Sequence, residues 1–291
     1  MTNQNSIKSY PLFKVFINHE NCLNHVTSVL NSGFINEGRQ VQELTENLIP
    51  ILGSKNIVLT NSCTSALTMA YKISGLTSKK NIVTTPMTCI ATNTPIINLN
   101  GNIIWADVDP DNGMITKNSI EAKIDENTVA VAFTNWGGVL PQLEELYDFC
   151  KLKGIKLIQD AAHSFMAEYD NKSICNYADF TCFSFQAIKH FTCGDGGALI
   201  ANNDLDFKKA KKLKWFGYDR DASKDENGNW KAQQEEADIE ENDVGYKFNM
   251  NNISAGIGLS NIPKIRQLVD KHIENAEIYN NHFYNDNKIK P

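Results

Sequence analysis

Hydrophobic and polar positions along this chain follow two periods. Short apolar runs rich in β-branched residues occur at 56–59, 82–84, 102–105, 129–133, 156–158, 180–183 and 198–200. Runs this short and this apolar suit strands buried on both faces of a sheet. Between them, apolar residues recur at helical spacing. Val41, Leu44, Leu48 and Leu52 share one face, and Leu143, Leu146, Phe149 and Cys150 share another. Strand and helix patterns alternate to about residue 200, which predicts an α/β domain around a mostly parallel sheet of seven strands covered by helices.

After Leu213 the pattern changes. Residues 219–243 are polar, acidic and aperiodic, longer than an ordinary connection. Such a stretch reads equally well as a solvated loop or as a lid or partner-contacting arm. From Ile253 to about Phe283 the helical pattern returns, interrupted near Pro263. The predicted division is an N-terminal arm at 1–30, a large domain at 31–250 that includes the polar loop, and a helical remnant at 251–291.

Composition narrows the class. The 291 residues carry a formal charge of −6. That length allows one large domain with a smaller appendage. No basic stripe is available to displace counterions, so nucleic acid is not expected as a partner. Lys208, Lys209, Lys211 and Lys212 alternate with apolar residues and read as the wet face of a helix. The seven cysteines are scattered without zinc spacing. Their odd number suggests free thiols in a reducing compartment. The first residues lack a basic-then-apolar signal pattern, and no apolar run approaches the ~20 residues that span a bilayer. The expectation is a cytoplasmic protein that does not engage a membrane.

Three stretches carry candidate chemistry. In 183–197, FSFQAIKHFTCGDGG, Lys189 lies between an apolar strand pattern and a glycine-rich turn. Phe183, Phe185, Ile188 and Phe191 would desolvate its amine and make it a usable imine-former. Gly194, Gly196 and Gly197 allow a tight turn beside a ligand, and Ser184 offers a hydroxyl to a phosphate. In the second stretch, the run 155–158 delivers Asp160 to the carboxyl end of a strand, where ligands bind in open α/β sheets. Asp160 reads either as a helix N-cap or as a carboxylate facing a ligand. His163 reads either as a half-buried structural histidine or as a contact to a cofactor ring. The third stretch, 60–67, runs from a strand end into a helix of small residues. Its Ser62, Cys63, Thr64 and Ser65 form a helix start suited to phosphate, or an ordinary cap. Together the three supply a phosphate cradle, a carboxylate for a pyridine nitrogen and an imine-forming lysine, in the chain order of the type I pyridoxal phosphate fold.

Over most of its length, from about Gly33 to about Tyr279, the chain resembles the DegT/DnrJ/EryC1/StrS family of nucleotide-sugar aminotransferases. The matching motifs are NSCTSAL (61–67), TPMTCIATNTPI (85–96), DVDPDNG (107–113), WGG (136–138), QDAAHS (159–164), FSFQAIKHFTCGDGG (183–197), WFGYDR (215–220) and VGYKFNMNNISAGIGL (244–259). The resemblance implies an aspartate aminotransferase-like fold and pyridoxal 5′-phosphate as cofactor, with pyridoxamine phosphate as the other form. It implies Lys189 as the residue bound to the cofactor, Asp160 as partner of the ring nitrogen and His163 near the ring hydroxyl. Thr64, Ser65 and Ser184 would be phosphate ligands, with Ser62 and Cys63 at the same helix start. It implies a homodimer with the active sites at the interface, where Lys247 would reach the neighbouring subunit's phosphate as a point charge.

Three departures stand out. Cys89 occupies a position where the family commonly stacks an aromatic residue on the ring. Lys247 stands where asparagine is common. The chain also ends at Pro291, before most of the small C-terminal domain that closes over substrate in the family, so that domain is expected to be largely missing. The implied reaction moves an amino group from L-glutamate to a keto group of a nucleotide-linked sugar, a 4-keto-6-deoxy hexose, in deoxyamino-sugar and polysaccharide biosynthesis. Alternatives are a cofactor-binding homologue without full turnover, a sugar 3-aminotransferase, and the family's dehydratases. Dehydratases carry histidine where this chain has Lys189. A nicotinamide enzyme is disfavoured because no GxGxxG follows the first strand pattern.

Overall fold

The structure, a computed structural model, describes residues 11–219 and 244–284. Its centre is a seven-stranded sheet in the order β1-β9-β8-β5-β4-β2-β3. The strands are β1 (Ile57–Thr60), β2 (Asn81–Thr84), β3 (Asn102–Trp105), β4 (Thr128–Thr134), β5 (Lys156–Asp160), β8 (Phe180–Ser184) and β9 (Gly197–Ala201). Each expected strand is present. β9 alone runs antiparallel to its neighbours β1 and β8, and the other six point the same way. β6 (Glu168–Tyr169) and β7 (Lys172–Ser173) form a separate hairpin.

Helices cover both faces. Val41, Leu44, Leu48 and Leu52 of α2 (Arg39–Leu52) and Leu143, Leu146, Phe149 and Cys150 of α6 (Leu143–Lys153) are the buried faces expected from their spacing. They join one apolar cluster with Val83, Val131 and Leu157 of the sheet. Helix α3 (Cys63–Ile73) anchors the second cluster through Ala66, Leu67, Met69, Ala70 and Tyr71, and α7 (Asp204–Lys214) adds Ala210 and Leu213. Truncating one such leucine costs on the order of 2–5 kcal/mol. Lys208, Lys209 and Lys212 of α7 are exposed, as the alternation predicts, and Lys211 is half-buried. α4 (Ile90–Asn98) follows β2 and α5 (Lys117–Glu121) precedes β4.

The helical stretch at the end is α8 (Asn252–Asn261) and α9 (Ile265–Phe283), separated by a 3₁₀ turn over Ile262–Lys264 that contains Pro263. α1 (His19–Ser32) packs on α8, with Gly256 against His25. Within the expected arm at 1–30, residues from His19 onward are therefore helical. All but the first residue of the 219–243 loop lies outside the described residues.

This topology gathers the carboxyl ends of the parallel strands on one edge of the sheet. Thr60, Thr84, Thr134, Asp160 and Ser184 all end strands there, and Gly197 begins β9 beside them. A Cβ on Gly197 would stand 2.5 Å from the amide nitrogen of Cys63, so only glycine lets the start of α3 lie directly on the sheet edge. Gly194 and Gly196 have φ of 79° and 158°, and they form the turn that the sequence marks.

Candidate active site

Asp160 ends β5 with its carbonyl accepting the Asn135 N–H at 3.1 Å. Its side chain is only 5% exposed. One carboxylate oxygen, Oδ2, accepts from the Thr92 hydroxyl at 2.6 Å. The other, Oδ1, accepts from the Ala162 N–H at 3.1 Å and faces the Cys63 thiol at 3.8 Å. Among the described residues no lysine, arginine or histidine forms an ion pair with it. The carboxylate is thus held by neutral donors alone, and a buried charge of that kind needs a cation to complete it.

Thr92 belongs to a hydroxyl cluster that our motif reading did not single out. Thr88 lies 2.6 Å from Thr92 and 2.5 Å from Thr134. Thr88 and Thr92 are one turn apart at the start of α4, and Thr134 ends β4 beside β5. The four-residue spacing was visible in the chain, while the partnership with Thr134 depends on strand order.

The start of α3 sits against the same carboxylate through Cys63. Ser62 caps the helix by accepting the Ser65 N–H at 3.1 Å, and its hydroxyl also pairs with that of Ser65. The Ser65 hydroxyl lies 2.6 Å from Asn61 Oδ1. Of the candidate hydroxyls here, Thr64 makes no side-chain hydrogen bond among the described residues. The first-turn N–H groups and the positive end of the helix complete an anion cradle. Ser184 pairs in register with Gly197, which touches Ser62 and Cys63, so it ends its strand at this cradle. Burial first, then Asp160, pushes the Cys63 thiol well above its ordinary value, so it stays protonated as a weak donor.

Lys189 lies half-buried in the loop between β8 and β9, its N–H donating to the Gln186 carbonyl at 2.9 Å. Its amine makes no hydrogen bond or ion pair among the described residues. Its charge bears on Cys63, His163 and His190, so it lies within electrostatic range of residues around Asp160. Phe183, Phe185 and Phe191 are buried and pack around Phe165 at ring-centroid distances of 5.4–5.9 Å, anchoring this loop. Ile188 does not join them. It is 46% exposed, because it sits on the outer side of the loop.

His163 accepts the Gly137 N–H on Nδ1 at 3.2 Å and meets Trp136 edge-on. Burial lowers its pKa, Lys189 acts in the same direction, and Asp160 opposes. His190, beside Lys189, packs against His272 of α9 at 4.7 Å, with its Nδ1 buried and unpartnered among the described residues. Burial, then His272, His163 and Lys189, pushes His190 down to about 4. A depressed histidine contributes stability that is fully present above its unfolded value of about 6.5 and is lost as pH falls toward 4. We expect a loss of about 2 kcal/mol over that window, discounted for partial exposure. Urea unfolding of His190→Leu should show correspondingly less acid destabilisation than the parent, and equal acid slopes would refute the assignment.

Two expected contacts stand apart from this cluster. Cys89 is exposed at the N-cap of α4, next to Thr88. Lys247 bridges to Trp215 through its backbone, places its amine 4.2 Å from the Trp215 ring centroid, and donates to Asn249. Asn249 in turn pairs with Thr60, so Lys247 lies two residues from the strand that leads into the cradle.

A sheet edge with a buried carboxylate, a helix start with its first-turn amides and a lysine amine that is unbonded among the described residues would suit a phosphorylated, nitrogen-cationic ring. Residues 17–290 match the DegT/DnrJ/EryC1/StrS aminotransferase family. The chain belongs to that family.

Among its relatives is the UDP-4-amino-4,6-dideoxy-N-acetyl-beta-L-altrosamine transaminase of Campylobacter jejuni, 28% identical over 91% of this chain and 69% of the relative. Among solved structures, AtS13 from Actinomadura melliaura superposes with a TM-score of 0.85 at 30% identity, covering 95% of this chain and 73% of that one. PseC of Helicobacter pylori, described as an aminotransferase involved in the biosynthesis of pseudoaminic acid, gives 0.83 at 27%, covering 96% and 72%. The chain thus spans about seven-tenths of these family members. Membership makes it a pyridoxal-phosphate-dependent aminotransferase of this fold, and the donor set fits that cofactor. Asp160 would answer the ring nitrogen, the α3 start the phosphate, and Lys189 would supply the amine. No described helix is long and apolar enough to cross a membrane.

Proposed function

We propose that this protein transfers an amino group to the keto carbon of a nucleotide-linked 4-keto-6-deoxy sugar, with L-glutamate as donor. The observation that carries the reading is the buried Asp160 carboxylate, bonded among the described residues only by neutral donors. The transaminase from Campylobacter jejuni, whose name specifies a 4-amino-4,6-dideoxy sugar, supports amination at carbon 4. Bound pyridoxal phosphate supplies an electron sink for the carbanion that forms when the donor's Cα proton leaves.

The chain's residues do the rest. The Lys189 amine would hold the cofactor and would serve as the base that takes the donor's Cα proton and the acid that gives it back. Asp160 would face the ring nitrogen and favour its protonated form. Thr92 fixes the carboxylate's orientation through its 2.6 Å hydrogen bond. Thr64, Ser184 and the α3 amides would hold the phosphate, with Ser62, Cys63 and Ser65 shaping that turn. Cys89, exposed at the N-cap of α4, would offer the ring no aromatic face to stack on. A homodimer would bring Lys247 of one subunit to the phosphate of the other.

The test uses purified full chain loaded with pyridoxal phosphate. L-Glutamate alone should convert the visible absorption band to that of pyridoxamine phosphate. A panel of UDP- and dTDP-linked 3-keto and 4-keto sugars should then show amination of a 4-keto member, read by mass spectrometry. Amination of 3-keto sugars only, or no response to glutamate, overturns this reading.

A further inference from the structure

The Trp136-Gly137-Gly138 motif has no role in the scheme above, yet it sits against His163. Gly137 and Gly138 have φ of 64° and 88°, two successive left-handed residues that glycine adopts without strain. The turn is pinned by the Gly138 N–H on the Asn135 carbonyl at 3.0 Å and the Val139 N–H on the Trp136 carbonyl at 3.1 Å. A Cβ on Gly138 would stand 3.3 Å from the His163 carbonyl oxygen, so turn and histidine loop are in close contact. The left-handed step at Gly137 turns its N–H onto His163 Nδ1 at 3.2 Å. The Trp136 ring meets the imidazole edge-on, with centroids 5.3 Å apart, and limits its rotation.

We propose that this turn locks His163 as the neutral imidazole protonated on Nε2, so that it serves the site as a fixed hydrogen-bond donor and not as a proton carrier. An amide N–H can only donate, so Nδ1 must present its lone pair to Gly137. That excludes both the Nδ1–H tautomer and the doubly protonated ring while the bond stands. Nε2 makes no hydrogen bond among the described residues and is left to donate to an oxygen acceptor in the cleft. The charged and titratable groups facing the ring are Lys189 and His190 from the loop after β8, and Asp160 from β5. Burial and Lys189 both disfavour a second proton, and Asp160 is the single opposing influence. What His163 donates to rests on the aminotransferase reading, whereas the lock itself does not.

The test begins with cofactor-free full chain carrying ¹⁵N-labelled histidine. Long-range ¹H–¹⁵N spectra, with His163 assigned by its loss in His163→Gln, should show an unprotonated Nδ1 and a protonated Nε2. This pattern should persist below the ordinary histidine value of about 6.5. A protonated Nδ1, or titration at or above that value, overturns the lock. In the loaded enzyme His163→Gln should keep kcat within about tenfold, because its carbonyl can accept from Gly137 and its amide can donate in place of Nε2. A proton-carrying role instead predicts a loss of about 10²–10⁴-fold for His163→Gln, and that result overturns the donor role. Should no form of the enzyme turn over, the aminotransferase reading fails while the spectra still decide the lock.

Discussion

Lys189→Ala is expected to lower turnover by at least about 10⁴-fold and to abolish covalent retention of the cofactor. The expectation rests on the amine's isolation. The Lys189 charge is felt at Cys63 and His163, yet the amine makes no hydrogen bond or ion pair among the described residues. For the same reason its removal orphans no partner. The variant should unfold within about 0.5 kcal/mol of the parent, the usual range for substitutions that break no packed or bonded feature. Borohydride treatment of the loaded parent should leave a phosphopyridoxyl adduct on the peptide that contains Lys189, read by mass spectrometry. Lys189→Arg keeps the charge but not the nucleophile, and should lose the adduct equally. An adduct that persists in either variant would assign the covalent anchor to another residue.

The strand runs were legible because all but the edge strand β3, which is partly exposed, are dense apolar segments buried on both faces. Asp160 and Lys189 were legible because each follows such a run at the sheet edge. What the sequence concealed depends on neighbours that strand order brings together. Thr134 and Thr92 are 42 residues apart in the chain, yet their hydroxyls meet at 3.3 Å because β4 lies next to β2, the strand that leads into α4. The β6–β7 hairpin has two-residue strands, too short for any period, although Asp170 and Asn171 at φ of 49° and 58° mark its turn. α1 buries Val29 alone, so its helical pattern barely rises above its polar background. Gly197 illustrates a different limit. The sequence offers it as turn flexibility, whereas its use is close approach, which depends on a helix start more than 130 residues earlier. Ile188 misled because hydrophobicity near a lysine does not say on which side of a loop a residue lies.

Asp160→Asn is the second large effect we expect, a loss of roughly 10³-fold in the glutamate half-reaction. Asparagine matches the carboxylate in shape. Its carbonyl can still accept the Ala162 N–H, and its amide can donate to the Thr92 hydroxyl, so the strand end and the hydroxyl cluster should persist. What disappears is one buried negative charge, the one that would face the ring nitrogen. Two unit charges about 4 Å apart at an effective dielectric of ~20 attract by about 4 kcal/mol, and a loss of that size at the transition state is close to three decades in rate. Thr92→Val separates charge from orientation. It removes one hydrogen bond to an ionised group, about 1.5–3 kcal/mol, and should cost roughly 10–100-fold while Thr92→Ser costs little. Stopped-flow absorbance after mixing with glutamate measures both, and circular dichroism checks that each variant is folded. If Asp160→Asn stays within tenfold of the parent while Thr92→Val falls further, the carboxylate's charge is not what the site uses, and its role reduces to capping the turn at Ala162.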